Sequence, residues 1–320
     1  MSENCIVCNS HDRIFLTSKG QYNILKCLTC GLIWSLPMKP LDDYSQEITH
    51  DRYEFDIMVN FLNRKNLHNL KVFELGCGDG RFLCKLKGLG ADVYGIDINA
   101  NGIAKAKECG LENVFTATLT KDFAEQFEKS FDLIFAFHVL EHIEHIDNIK
   151  EVIRNINIML KPGGFLFLSV PNPERLSARI FKESWDEPPY HLTKWTKKSL
   201  RLLLENNGFE ILNFVEEPLN LKSAYIYVVD IQNIIINSFF LKLKKIANSG
   251  SLSKGDNINK TKFNYNKIKI IKKFSHFLIM TISYAVGYTI YFFLAFLARL
   301  KILPKSLNKG LSLCVIAKRR

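Results

Sequence analysis

The chain has 320 residues, 47% of them hydrophobic, so it can bury one large packed domain and carry attachments. Its net charge of +11 is uneven: residues 242–309 hold 14 Lys and Arg against one acid, Asp256, and the remainder is slightly acidic. That distribution excludes a uniformly basic body and confines the basic character to one region.

The first residues, Met-Ser-Glu-Asn-Cys, lack the charged start and apolar run of a secretory signal. Four of the eight cysteines fall within the first thirty residues, and Cys77, Cys84, Cys109 and Cys314 are scattered. This is a poor disulfide framework and suits a reducing, cytoplasmic compartment. Cys5-x-x-Cys8 and Cys27-x-x-Cys30 form two knuckles whose four thiolates can close a tetrahedral structural zinc site, with Gly31 fitting the tight turn. A redox dithiol pair is the competing use. Arg13 to Leu16 and Tyr22 to Lys26 read as short strands, so residues 1–40 are expected to be a zinc ribbon folded largely by its ion. The segment offers Arg13, Lys19, Lys26 and Lys39 against Glu3 and Asp12, too sparse a charge to track a nucleic-acid backbone. A scaffold near the substrate entrance is the expected role.

Residues 41–66 read as a linker leading into a helix over 53–63. From 67 to 216, strands at 71–75, 92–96, 113–117, 131–137 and 164–170 alternate with helices near 79–88, 100–109, 121–128, 146–160 and 196–207. Apolar runs separated by helical periods predict an α/β domain with a parallel sheet covered on both faces. Lys161-Pro162-Gly163-Gly164 ends a helix and opens the fifth strand. Phe209 to Glu216 reads as a sixth strand.

Within this body, Glu74-Leu75-Gly76-Cys77-Gly78-Asp79-Gly80 joins the first strand to a helix, and Gly95-Ile96-Asp97 ends the second strand in a carboxylate. Glycines let backbone pass close to a ligand, a helix start offers unpaired N–H groups, and an acid at the second strand end can hold a ribose diol. Together they form an adenosine-binding crevice. A dinucleotide fold wants G-x-G-x-x-G; here the third glycine comes one residue early and an acid precedes the first.

The E-x-G-x-G-x-G form resembles motif I of the class I methyltransferases, which bind S-adenosylmethionine. Phe131 through His142 resembles the strand-four motif of the relatives of ubiquinone-biosynthesis O-methyltransferases, and Ser169-Val170-Pro171-Asn172 extends the likeness. With the knuckles in front, the chain is similar to the zinc-knuckle branch of small-molecule methyltransferases, often linked to sugars and envelope glycans. The resemblance covers residues 1–216 and the segment 311–320. It implies a Rossmann-like sheet of seven strands, the last antiparallel. It also implies that Glu74, Gly76, Gly78 and Gly80 line the cofactor turn, that Asp97 takes the ribose, that Ile98 faces the adenine and that Phe137 sits against the cofactor. After the third strand many relatives place an acid near the adenine amine. Ala117-Thr118-Leu119-Thr120 stands there instead, which leaves Thr118 or backbone groups for that contact.

Methyl transfer is an in-line displacement for which a hydroxyl acceptor must be aligned and deprotonated. His138, Glu141 and His142, at i, i+3 and i+4, are expected on one helical face beyond the sheet's carboxyl end. The related quinone enzymes have Glu-x-x-Glu-His here, which resembles a divalent-metal site, and His138 in first place makes a softer set than magnesium prefers. Metal assistance, or a loop organised by hydrogen bonds from Glu141 and His142, are both open. His191, in Pro188-Pro189-Tyr190-His191-Leu192, is the favoured general base, because it follows the fifth strand, precedes the Thr196 cap and can accept a proton near neutral pH. A structural histidine is the alternative.

Residues 217–310 form a basic, apolar insertion in which Phe277 to Ala298, 22 residues, carry no formal charge. A helix of that length is about 33 Å long and could cross a bilayer core of ~30 Å. Leu311 to Lys318 resembles the seventh strand, so both ends of the insertion return to one sheet. A helix in the interface plane, or a re-entrant hairpin with residues 222–243, therefore fits better than a single crossing, and flanking lysines suit an anionic cytoplasmic surface. The soluble alternative is a helical hairpin acting as a homodimer interface or substrate lid. The sequence thus predicts an S-adenosylmethionine-dependent methyltransferase at the inner membrane face, with structural zinc. Its acceptor would be small or lipid-linked: a glycan precursor, nucleotide sugar or prenyl compound. RNA methylation read out by the ribbon, and a non-catalytic membrane-tethered scaffold, are the alternatives.

Overall fold

The computed structural model describes residues 4–40, 53–62, 67–175, 178, 183–219, 285, 289, 292, 293, 296 and 308–320. They separate into two compact units. The first comprises Met1–Glu174, Ser184–Glu217 and Leu311–Arg320; the second comprises Arg175–Glu183 and Pro218–Gly310.

The first unit opens with β1 (Arg13–Lys19), β2 (Tyr22–Cys27) and β3 (Ile33–Leu36). Then follow α1 (Tyr53–Leu62), β4 (Lys71–Leu75), α2 (Arg81–Gly88), β5 (Asp92–Asp97), α3 (Ala100–Glu108), β6 (Val114–Thr116), α4 (Lys121–Gln126) and β7 (Phe131–Phe137). After a 3-10 turn at Leu140–His142 come α5 (Ile146–Met159) and β8 (Leu160–Pro171). A second 3-10 turn (Ser184–Asp186) leads to β9 (Thr193–Lys194), α6 (Lys197–Glu205), β10 (Phe209–Glu216) and β11 (Ser312–Arg319).

The large sheet has seven strands in the order β10-β11-β8-β7-β4-β5-β6. Strands β8, β7, β4, β5 and β6 run parallel, and β11 lies antiparallel between β8 and β10. Strand alternation sorts the core onto two faces. Leu133, Phe135 and Phe137 join Val72, Phe82, Leu86 and Ile103 on one side, whereas Ile134 and Ala136 join Phe73, Ile149, Ile153 and Ile156 on the other. Ile149, Ile153 and Ile156 sit one and two turns apart, which is why α5 lies flat on the sheet. Each strand and helix expected between 71 and 216 is found within a few residues of its reading, with β8 starting earlier, at Leu160.

The ribbon is larger than the sequence suggests. Its sheet has four strands, β1-β2-β3-β9, all antiparallel, and β9 follows the large sheet's β8 in the chain. In the second unit, Ala285, Thr289, Phe292, Phe293 and Phe296 are helical, and the Thr289 hydroxyl donates to the Ala285 carbonyl at 2.7 Å. Apart from these positions the expected 277–298 membrane helix, and the 222–243 hairpin partner, lie outside the described residues. Among the described residues no helix is long and apolar enough to cross a membrane.

Candidate active site

The glycine turn is built as its spacing requires. Gly76, Gly78 and Gly80 have φ of 76°, 53° and 74°, left-handed conformations that a side chain strains. Gly80 is also sterically locked, since a Cβ there would lie 2.4 Å from Leu111 Cδ1, and one on Gly76 would lie 2.7 Å from Val139 Cγ2. A Cβ on Gly78 would meet nothing within 4 Å. The turn therefore leaves an open cradle at Gly78. Asp97 closes its rim: its carboxylate accepts from Gly78 N–H at 2.8 Å and from Asn99 N–H at 2.7 Å. Glu74 is buried beneath the turn, and Ile98 is 67% exposed beside it, an unusual state for isoleucine that suits a flat ring laid on it. Thr118 is exposed after β6, where its carbonyl accepts from Thr120 N–H. The residues present fit an adenosine-bearing cofactor at the glycine turn. Phe137, at the end of β7, is buried among Phe55, Phe82 and Phe135, with ring centroids 5.5–6.0 Å away.

Beyond β7 the backbone does not continue as an α-helix. His138 has φ 55°, and only Leu140–His142 form a 3-10 turn, so the expected single helical face is replaced by convergence through hydrogen bonds. His138 Nε2 lies 2.6 Å from Glu54 Oε1 on α1 and 3.3 Å from the Ser312 hydroxyl, while its Nδ1 lies 3.1 Å from Glu141 Oε1. His138 is thus a clamp between two buried carboxylates. Burial raises the Glu141 pKa, but the His138 bond and the charges of His138, His142 and His191 outweigh it and hold the carboxyl below its usual range. Glu141 Oε2 is buried without a hydrogen-bond partner.

His142 Nδ1 lies 2.8 Å from the Tyr190 carbonyl, so that nitrogen carries the proton. Burial pushes its pKa below the usual imidazole value, with Glu141 opposing and His191 reinforcing the shift. His191 packs edge-on at 4.7 Å between ring centroids, with Trp185 at 5.6 Å. The His191 Nδ1 is 2.8 Å from Asp186 Oδ1, and Asp186 is itself paired with Lys194 at 3.0 Å. Donation from Nδ1 to the carboxylate fixes the tautomer and leaves Nε2 as the basic nitrogen. Glu141, His142 and His191 each offer a ligand atom, all within 4.8 Å of one another, so this trio could hold a divalent ion. His191 enters that set in place of His138, which Glu54 and Glu141 occupy. Glu54 and Asp186 were missed in the sequence. Asp186 ends a 3-10 turn five residues before His191, and Glu54 is 84 residues from His138, so no local period marks either.

The four ribbon cysteines also converge. Cys5 and Cys30 sulfurs are 3.5 Å apart, as are those of Cys8 and Cys27, and all four lie within 4.8 Å of one another. These separations are too long for disulfides at ~2.05 Å and match the edges of a tetrahedron with metal–sulfur bonds of ~2.3 Å. Cys30 N–H points at Cys27 Sγ (3.4 Å), and Gly31, at φ 78°, closes the knuckle by donating to the Cys27 carbonyl at 3.0 Å. The hydrogen bond with Cys30 pulls Cys5 down to about 5, against burial, while Cys30 is pushed up. An all-thiolate set of this shape fits zinc.

A parallel sheet extended by an antiparallel strand between the last two parallel ones, with a glycine turn after its central strand, defines the class I methyltransferase architecture. A family model described as "Methyltransferase domain" matches residues 48–213, and the chain belongs to that family. Among curated proteins, the chain is 34% identical over 121 residues to a ubiquinone biosynthesis O-methyltransferase of Pseudomonas syringae pv. tomato, covering 36% of this chain and 51% of that protein. It is 35% identical over 112 residues to the same-named protein of a Chelativorans species, covering 34% and 43%. The chain thus spans about half the length of the curated relatives it matches. A solved S-adenosylmethionine-dependent methyltransferase from Archaeoglobus fulgidus aligns with 83% of this chain and 94% of its own at 19% identity and a TM-score of 0.48.

Proposed function

We propose that the chain is an S-adenosylmethionine-dependent O-methyltransferase in which the Asp186–His191 pair takes the proton of an acceptor hydroxyl. The observation that carries this reading is the buried 2.8 Å contact from His191 Nδ1 to Asp186, which orients the imidazole beside His142 with Nε2 left free of that contact. Glu74, Gly76, Gly78, Gly80, Asp97, Ile98 and Thr118 would hold the cofactor, which when bound supplies an electrophilic methyl group. Val139 links the two halves of the site, since it touches the Gly76 turn on one side and leads into Glu141 and His142 on the other. The names of the curated relatives support an oxygen acceptor; a prenylated phenol, a nucleotide sugar and a lipid-linked glycan precursor are the classes to try. The basic, apolar residues 217–310 support work at the inner membrane surface. The test is release of S-adenosylhomocysteine with a panel of these acceptors. His191→Ala should abolish turnover, and Asp186→Asn should lower it by about 10²–10⁴-fold, with cofactor affinity unchanged in both. Full activity, or lost cofactor binding, in His191→Ala would sink the base assignment.

A second reading is favoured by Glu141 Oε2, buried and unpartnered beside two imidazoles. A divalent ion ligated by Glu141, His142 and His191 would then orient the acceptor oxygen, with Asp186 as the outer carboxylate of His191. Turnover that vanishes under chelation mild enough to leave zinc on the four cysteines, and returns with manganese, supports it; turnover that resists such chelation leaves the Asp186–His191 base alone.

A further inference from the structure

The strand that carries His191 into the site belongs to the cysteine ribbon. Immediately after His191, Leu192, Thr193 and Lys194 run along β3: Ile33 pairs with Lys194 and Trp34 with Thr193, and Ser35 N–H donates to the Leu192 carbonyl at 2.9 Å. Two residues later the Thr196 hydroxyl donates to the carbonyl of Cys30 at 2.7 Å, directly at a candidate metal ligand. A Cβ on Gly31 would lie 3.0 Å from Thr196 Cγ2, so the knuckle and this segment are in van der Waals contact. On the side chain level, Lys19 of β1 pairs with Glu187 at 3.0 Å, and Lys194 bridges Glu187 and Asp186. The opposite edge of the same segment meets the 3-10 turn, where Leu192 N–H donates to the Glu141 carbonyl at 2.7 Å. His191 therefore stands on a strip held between the ribbon and the Glu141–His142 turn. Two paired residues cannot make a strand by themselves.

We propose that the four-cysteine ribbon, closed by zinc on Cys5, Cys8, Cys27 and Cys30, is the positioning element for His191. The ion orders the Cys27–Gly31 knuckle, the knuckle and β3 order residues 192–196, and these hold His191 against Asp186 and His142. No chemistry occurs at the metal, because four protein ligands leave no open position. The glycine turn makes none of these contacts, and it should keep its cofactor when the ribbon loosens. The catalytic consequence rests on the proposed base role of His191, whereas the structural coupling stands independently of it.

The experiment uses the full chain stripped of metal with a thiol-directed mercurial and chelator, then reduced, and compares it with the same sample given one equivalent of zinc. Amide hydrogen exchange should quicken at least tenfold at residues 192–194 in the stripped protein. Exchange in β4 and β7, and S-adenosylmethionine affinity, should change less than about twofold. Acceptor-dependent turnover should fall at least tenfold and return with zinc. Thr196→Val, which keeps the cysteines but removes the hydroxyl bond to Cys30, should quicken exchange at 192–194 in the zinc-loaded protein, and Thr196→Ser should restore it. Unchanged exchange at 192–194 while β1 and β2 lose protection overturns the proposal. So does loss of cofactor binding together with the ribbon, which would make the ion a requirement of the whole body. A zinc-loaded protein with normal exchange but no His191-dependent turnover on any acceptor would instead defeat the functional reading and leave the coupling intact.

Discussion

At the scale of single residues, the glycine turn separates shape from binding. Gly80→Ala combines a left-handed φ with a Cβ driven into Leu111 and Ala106. It should cost about 2–5 kcal/mol of stability, seen as a lowered denaturation midpoint. Gly78→Ala has the same backbone penalty and no clash. It should cost about 1–2 kcal/mol but reduce cofactor affinity at least tenfold in calorimetry, because the new methyl fills the cradle. Equal loss of affinity and stability in both would place the ligand elsewhere. The titratable pair gives a pH signature. The folded pKa of His142 is below its ordinary 6.5, so the unfolded chain takes the proton more readily and stability is lost as pH falls through that value. The carboxyl of Glu141 is depressed below 4.5, so its contribution is present above that pH and lost below it. In chelator-treated protein the melting temperature should therefore fall from pH 7.5 towards pH 5.5, and His142→Gln should flatten that slope. A melting temperature that rises on acidification would reverse both assignments.

Among elements, α1 shows how a helix with a modest apolar stripe is fixed by a few strong contacts. Phe55 stacks on Phe82 of α2 with centroids 4.5 Å apart and 11° between planes, and Glu54 reaches His138 at 2.6 Å. Phe55→Ala should cost about 3 kcal/mol, measured by denaturant unfolding, and a cost within error of zero would mean that α1 is not docked through this ring. The parallel strands and their helices were legible in the sequence because each is a local period: Val72 and Phe73, or Leu133 through Phe137, alternate between two faces, and α5 repeats isoleucine at three- and four-residue spacings. The convergence of Cys5, Cys8, Cys27 and Cys30 was legible from their paired spacing. What escaped was non-local. Strand β9 has two residues, no apolar alternation and a partner about 160 positions away, and its identity is supplied by the ribbon edge it meets. His191 was singled out by its proline-rich approach, but its neighbour Asp186, and Glu54 beside His138, became visible only when the fold closed distances no spacing encodes. The helical face expected for His138 to His142 failed at one backbone angle, the φ of 55° at His138.

For the whole molecule, the central fact is that β10 and β11 are neighbours although the segment between them is long. Glu216 pairs with Leu313, Glu217 N–H donates to the Ser312 carbonyl at 2.9 Å, and Ser312 N–H donates to Glu217 Oε2 at 3.0 Å. The first unit is therefore closed across the base of the insertion. Replacing residues 220–307 by a short glycine-serine linker should leave a protein that folds and binds S-adenosylmethionine within about threefold, because loop-closure entropy changes slowly with length. The same protein should lose affinity for anionic vesicles if residues 217–310 carry membrane binding; retained vesicle binding would move that function into the first unit. The placement of β11 between β8 and β10 also sets a timetable for biosynthesis. Until β11 has been made, β8 offers an open, apolar edge and the sheet lacks the strand that lies between β8 and β10. About 140 residues separate β8 from β11, and at ~5–20 residues per second the nascent chain carries that exposed edge for roughly 7–28 seconds. A newly made copy is thus most open to edge-to-edge aggregation while its basic, apolar insertion is being translated. In a cell, chaperone demand should rise in that window and fall once β11 pairs with β8.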